Sequence, residues 1–382
     1  MMTDHVSPWM TDELKLLRDT ARQFFLREGM PHVARWERQQ GVDREFWMKA
    51  GSLGLLCPTV PEVYGGAGGN ILHHIVITEE QARTIDKGWG NPVHSGVVAG
   101  YLLSYGSEEQ KLRWLPGMVS GETIAAIAMT EPSAGSDLQA IKTTAVRDGD
   151  EYIINGAKTF ITNGGSADLI LVAAKTDPTA RGRGISLIVV DTRDCPGFVR
   201  GRVLDKIGQH AADTAELAFQ DVRVPVSNRL GEEGSGFKML MQQLPQERLF
   251  IGVGAVVPIE LAVERTVEYA KDRELYGKPL LDLQNTRFEL AECATVARVA
   301  RTFIDSCIEK HLCGELDSAT AAMAKLWLTD MQCQVIDRCL QLFGGYGYMR
   351  EYPIARMYAD ARVQRIYGGA NEVMKEVIAR SL

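Results

Sequence analysis

The apolar residues of this chain change period twice, and that change constrains the fold more than any single motif. Up to about residue 122 they recur every three or four positions, as on one face of a helix. From about residue 123 short apolar runs alternate with turn residues, as in strands. After Gly231-Glu232-Glu233-Gly234 the helical period returns and persists. A period of 3.6 and a period of 2 bury different faces, so one element cannot serve both. The pattern predicts a helical domain at 1–122, a middle β domain at 123–234 and a helical bundle at 235–382, an α+β layout. A chain of 382 residues is long enough for two or three such units.

Within the first unit, Thr11 is placed to cap a helix with Asp12 and Glu13 in its first turn and an apolar stripe of Leu14, Leu17, Ala21, Phe24 and Phe25. Helical texture continues at 43–56 and 71–118, interrupted by the glycine-rich Tyr64–Gly69. That loop lacks a P-loop lysine and a preceding strand, so a mobile connector is expected rather than a phosphate cradle. In the middle unit, Asn155-Gly156 between two short apolar runs is a hairpin signal, because that pair suits the positive φ angles of a tight turn. Further strands are expected at Asp168–Lys175, Gly184–Asp191 and Ala215–Val224. Long helices are expected at 236–271, 282–313 and 316–343 and a shorter one near 371–380, with Pro279 and Gly314 as punctuation.

A formal net charge of −7 without a basic stripe argues against nucleic acid. Seven cysteines with no CxxC pair suit a reducing compartment, and the scattered histidines offer no zinc-ligand spacing, so no metal is expected. No run of about 18 apolar residues suggests a membrane span. The first residues have neither secretory nor transit character, and a cytoplasmic location is expected.

Three clusters carry potential chemistry. Ala128–Asp137 (AMTEPSAGSD) joins helix to strand with small and hydroxyl residues, and could be an anion-facing loop or an ordinary capped one. Arg273-Glu274-Leu275-Tyr276-Gly277-Lys278-Pro279 with Gln284 pairs a guanidinium with an aromatic ring and a turn. That suits a pyrophosphate and a stacked base, or merely a surface arginine closing a helix. Gln341–Tyr348 (QLFGGYGY) ends an apolar helix in glycines that could be only a C-cap.

In this order, and with Phe160-Ile161-Thr162-Asn163-Gly164, the clusters resemble the acyl-CoA dehydrogenase family over essentially the whole chain. Leu244–Ile251 (LPQERLFI), Leu316–Lys325 (LDSATAAMAK) and Ile366–Arg380 make it most similar to the long-chain branch. The resemblance implies a β-barrel-like middle domain, a C-terminal four-helix bundle and FAD as cofactor. It also implies a homotetramer built as a dimer of dimers and electron-transferring flavoprotein as acceptor. By position, it implies cofactor contacts from Met129, Thr130, Gly135, Ser136, Phe160 and Thr162, with Ala370 and Glu372 near the flavin. Arg273, Tyr276, Gln284, Gln341, Gly344 and Gly345 resemble residues that hold the FAD of a neighbouring subunit. Ser136, Arg248, Tyr367 and Gly368 resemble positions that border the acyl-CoA, and Gly96, in a run of small residues, is expected along the acyl tail. Phe160 and Ala370 stand where many members carry Trp and Thr.

The family reaction, a step of fatty-acid β-oxidation, removes an α-proton while a β-hydride passes to flavin, giving a trans-2-enoyl-CoA. Most members take the proton with a Glu directly after the tyrosine matching Tyr367. Here that position is Gly368, which cannot accept one. A minority, the long-chain and isovaleryl branches among them, carry the base at the position matching Glu247. Glu247 stands between the apolar stretches Met239–Met241 and Leu249–Ile251, where desolvation is expected to raise its pKa. The competing reading is a solvated helix carboxylate paired with Arg248 or Lys238. The resemblance also implies that the Gly368 backbone N–H donates to the thioester oxygen. Small residues in Asn91–Gly100 suggest a roomy pocket for medium, long or branched acyl chains. The alternatives are an acyl-CoA oxidase using O2, disfavoured because such chains are commonly longer, and a non-catalytic acyl-CoA-binding homologue.

Overall fold

The computed structural model describes residues 5–84 and 88–382. Helix α1 (Asp12–Phe24) begins where the Thr11 hydroxyl accepts a hydrogen bond from Leu14 N. Its apolar stripe is buried: Leu14, Ala21 and Phe24 face inward, and Phe24 stacks on Phe46 of a later helix. Helices α2 (Val33–Gln39), α3 (Arg44–Ser52) and α4 (Ile71–Thr84) follow. A wide π-helical stretch, Pro92–Val98, then runs straight into α5 (Ala99–Tyr105). Ser107 and Gln110 form a capping box that starts α6 (Glu108–Ser120). The helical run expected at 71–118 is thus present in pieces; residues 85–87 lie outside the described residues.

The glycine loop at 64–69 is not a slack connector. Backbone bonds run from Gly65, Gly66, Gly68 and Gly69 back to residues 58–62. A Cβ on Gly66 would lie 1.9 Å from the Val60 carbonyl oxygen. Glycine is needed there for close packing rather than for motion.

The middle of the chain is a sheet of β1 (Ala125–Ala128), β2 (Thr144–Asp148), β3 (Glu151–Ile161), β4 (Leu169–Lys175), β5 (Ile185–Asp191), β6 (Phe198–Val203), β7 (Ala215–Pro225) and β8 (Arg229–Leu230). The strand order is β6-β7-β3-β2-β4-β5-β8, with β1 parallel to β4. Strands β4 and β5 are buried on both faces, which explains their unbroken apolar runs. Ile170, Val172, Ile188 and Val190 pack into the sheet's own core, while Leu169, Leu171, Leu187 and Val189 pack against α5 and α6 through Leu102, Trp114 and Met118.

The hairpin expected at Asn155-Gly156 is absent. That pair sits inside β3 at a bulge, where the register with β7 slips between Ile154 and Gly156. Asn155 exchanges two hydrogen bonds with Asp221, and a Cβ on Gly156 would meet Thr143 Oγ1 at 2.4 Å. The turn lies earlier, at Gly149-Asp150 between β2 and β3, where Gly149 takes φ +62°. The conformational freedom that makes a good turn makes an equally good bulge.

Helix α7 (Gly236–Asp272) is 37 residues long. A small hairpin, β9 (Glu274–Leu275) and β10 (Lys278–Pro279), links it to α8 (Gln284–Leu312). Asp317 caps α9 (Ser318–Leu342), and α10 (Pro353–Ala361) and α11 (Asn371–Ala379) complete the chain. α7 lies against α8 and α9, with Gly252 close to Ile304 and Leu328. Trp9, Leu14, Leu72 and Val76 share that core, so α1 and α4 pack on the C-terminal helices. The architecture is the expected α+β arrangement.

Candidate active site

One cavity, of about 270 Å³, opens where α4, the Pro92–Val98 stretch, the ends of β1 and β3, α7 and Tyr367-Gly368 converge. Its lining is largely apolar. α7 presents one face to it: Glu247, then Phe250 and Ile251 one turn on, then Gly254.

Glu247 keeps partial access to solvent through the cavity, yet protein encloses its carboxylate closely. Burial pushes its pKa up to about 7, against the opposing pull of the Tyr101 hydroxyl and the nearby Arg248 charge. Tyr101 Oη donates to Glu247 Oε1 at 2.9 Å. Arg248 is itself buried and turned away, with Nη1 donating to Ser318 Oγ at 3.2 Å. It does not line the cavity.

Gly368 faces Glu247's helix from the other wall. It holds φ +63°, and a Cβ there would sit 2.1 Å from Ile251 Cδ1. The corner is anchored from α9: the buried Lys325 Nζ donates to Gly369 O and Asn371 Oδ1, each at 2.7 Å. Burial lowers the Lys325 pKa to about 8. Tyr367 lines the cavity beside Gly368, partly open at its mouth, and its enclosed phenol is pushed up to about 12.

The sheet supplies a further wall. Met129 and Thr130 leave the end of β1, and Phe160 and Thr162 lie at the end of β3. Thr159 N donates to Thr130 O at 3.0 Å. Lys158 Nζ donates to Met129 O at 3.0 Å and to Glu131 Oε1 at 2.8 Å, a fully buried ion pair. Burial brings Lys158 down to about 8; it would raise Glu131, but Lys158 and nearby donors hold that carboxyl below its usual value. Phe160 adopts φ +60° and is 67% exposed at the cavity edge. A bulky residue in that region is strained, and such strain clusters at ligand sites.

Three buried polar side chains of the lining have unpartnered atoms: Gln81 Oε1, Trp89 Nε1, and both amide ends of Gln364. Each unsatisfied group costs about 1–3 kcal/mol. Orphaned donors and acceptors together with an exposed aromatic ring fit a flat heteroaromatic group with a hydrogen-bonding edge.

The other expected residues lie elsewhere. Gly135 and Ser136 are exposed in the loop beyond Thr130, and Ala370 and Glu372 open α11 without lining the cavity. Gly96 sits on the far side of its turn, where a Cβ would meet His74 Nε2 at 2.5 Å; Pro92, Val93 and Val97 of that segment do line the cavity. Arg273, Tyr276, Gln284, Gln341, Gly344 and Gly345 gather around the β9–β10 hairpin and the end of α9, away from the cavity. The Arg273 guanidinium lies 5.9 Å from the Tyr346 ring centroid, and Tyr276 is 89% exposed.

Sequence reasoning missed Tyr101, Gln81, Trp89, Gln209, Ile251, Gly254 and Gln364. Ile251 and Gly254 were recoverable, being four and seven residues after Glu247 on a helix. No local pattern marks Gln364. Among the described residues no cluster of His, Cys, Asp or Glu could hold a metal ion, and no helix is long and apolar enough to cross a membrane.

Comparison with known proteins agrees across the chain. Residues 11–122, 126–222 and 234–382 match the family models for the acyl-CoA dehydrogenase N-terminal, middle and C-terminal domains. The long-chain specific acyl-CoA dehydrogenase, mitochondrial, of Sus scrofa is 49% identical, over 97% of this chain and 87% of that protein. The crystal structure of an acyl-CoA dehydrogenase from Geobacillus kaustophilus superposes with a TM-score of 0.96 at 49% identity, covering 98% of this chain and 99% of that one. An acyl-CoA dehydrogenase complexed with FAD from Bacillus anthracis superposes with a TM-score of 0.91 at 30% identity, covering 100% of this chain and 68% of that one.

Proposed function

This chain belongs to the acyl-CoA dehydrogenase family, and on that premise we propose that it oxidises a medium-chain, long-chain or branched acyl-CoA to the trans-2-enoyl-CoA, with Glu247 as the base. The observation that carries this reading is a carboxylate raised to about 7, facing a cavity whose opposite corner is glycine. A base with a pKa near neutrality is ionised often enough to accept a proton and basic enough to hold it.

We assign FAD to the wall formed by Met129, Thr130, Phe160 and Thr162, with Gln364 as a candidate partner for its ring edge. Bound there, it supplies the two-electron acceptor for the β-hydride. The chain's own residues do the rest. Val93, Val97 and Phe250 exclude water from the acyl tail, and Glu247 takes the α-proton. The Gly368 N–H, on a corner fixed by Lys325, is the donor we assign to the thioester oxygen as it gains charge. A separate cavity of about 420 Å³, lined by Arg181, Arg183 and Lys238, suits the phosphates of coenzyme A.

Electron-transferring flavoprotein is the proposed acceptor. The Arg273–Tyr276–Gln284 cluster, exposed and remote from the chain's own cavity, supports a homotetramer in which it holds a neighbour's FAD. The deciding test is anaerobic mixing of Glu247→Gln with acyl-CoA. The variant should bind FAD and fail to bleach it; normal reduction would remove Glu247 from the mechanism.

A further inference from the structure

Tyr101 is 1% exposed, on the inner side of a short helix, and by position could pass for an ordinary core aromatic. Its hydroxyl nevertheless reaches Glu247 Oε1 at 2.9 Å. The phenol has little room to swing. One turn away, Tyr105 Oη donates to Gln242 Oε1 at 3.1 Å, and Gln243 Nε2 donates to Ser104 Oγ at 3.1 Å, so α5 is tied to α7 one turn from the contact. Val93, Val97 and Tyr101 follow at intervals of four along one continuous helical segment. The surface that meets the acyl tail and the hydroxyl that meets the carboxylate are therefore carried by the same rigid piece.

We propose that Tyr101 is a positioning residue for the dehydrogenation, holding the Glu247 carboxylate in the orientation that faces the substrate α-carbon and favouring its ionised form. This rests on Glu247 being the base. The physical reason is that a hydroxyl can donate to a carboxylate but gains much less from the neutral acid, so the contact opposes the effect of burial. The titratable groups around the carboxylate are Arg248 on its own helix, Tyr101 from α5 and Tyr367 from the C-terminal corner. Arg248 points its guanidinium toward Ser318, and Tyr367 stays protonated well above neutrality, so Tyr101 is the group placed to donate.

The test is the pH profile of kcat/KM for Tyr101→Phe holoenzyme with a saturated acyl-CoA. The acidic limb should move upward by about one pH unit, so that activity below the limb falls about ten-fold. The plateau kcat should fall while KM, FAD content and Tm hold. Tyr101→Leu, which removes the hydroxyl with a different change of shape, should move the limb the same way. Tyr105→Phe cuts the neighbouring tie and should leave the limb in place. A stationary limb in both Tyr101 variants would overturn the proposal, and so would an equal shift in Tyr105→Phe, which would trace the effect to α5 packing. The two readings fail separately: normal flavin reduction in Glu247→Gln removes the base itself, whereas an inactive Glu247→Gln beside an unmoved Tyr101→Phe limb removes only Tyr101.

Discussion

The two walls that face each other across the cavity are built on opposite principles. The α7 wall offers a side chain: Glu247, raised to about 7 by enclosure and held by Tyr101. The Tyr367–Gly369 wall offers backbone: two glycines at φ +63° and +91°, with the second carbonyl fixed by Lys325. A carboxylate fits the first wall because a long buried helix keeps water from most of its surface. The second wall disfavours one, because residue 368 holds φ +63° and a Cβ there would require the Ile251 Cδ1 methyl to move. The position proposed for the base is therefore set by backbone conformation and packing as much as by chemistry.

Removing the proposed base should have the largest effect. Glu247→Gln is expected to slow flavin reduction by about 10³-fold or more, measured by stopped-flow absorbance under anaerobic conditions. Moving the carboxylate across the cavity sharpens the contrast. Glu247→Gln with Gly368→Glu should stay about as inactive, since residue 368 would need a left-handed backbone costing about 1–2 kcal/mol and space that Ile251 occupies. Adding Ile251→Ala should recover part of the reduction rate; full recovery without it would refute the packing argument.

Loosening the backbone wall comes next. Lys325→Met takes the lysine donor from Gly369 O and leaves Asn371 Oδ1 only the Thr329 hydroxyl at 3.4 Å, and should lower stability by about 1–3 kcal/mol in urea unfolding, with a fall in kcat. The last contrast is a pH linkage. The folded Glu247 pKa lies above its ordinary value of 4.5, so its contribution to stability is full below about 4.5 and is lost as pH rises through about 7. Glu247→Gln should flatten the apoprotein's Tm profile across that window, and an unchanged slope would argue that the carboxylate is not enclosed.

The sequence made the two walls unequally legible. Glu247 could be singled out because Leu244–Ile251 resembles the branch with a relocated base, a glycine stands at 368 and apolar residues flank the glutamate. The successive changes of period likewise located the helices and the doubly buried strands β4 and β5. Asn155-Gly156 misled because a turn and a bulge ask the same freedom of the backbone, and only the partner strand decides between them. Tyr101 and Gln364 escaped for another reason. The roles proposed for them depend on groups brought near by folding, and a tyrosine among leucines, or a glutamine beside arginines, carries no local mark of that.

The two-faced burial of β4 and β5 bears on the cavity from a distance. Odd-numbered residues there serve the helices and even-numbered ones the sheet's own core, so a slip of one residue would invert both at once. β1 is paired to β4 from Ala125–Leu169 through Ala128–Val172, and Met129 and Thr130 follow immediately. The cavity wall thus inherits its coordinates from a strand that has only one way to sit: it is surveyed from a fixed benchmark rather than shaped by its own loop.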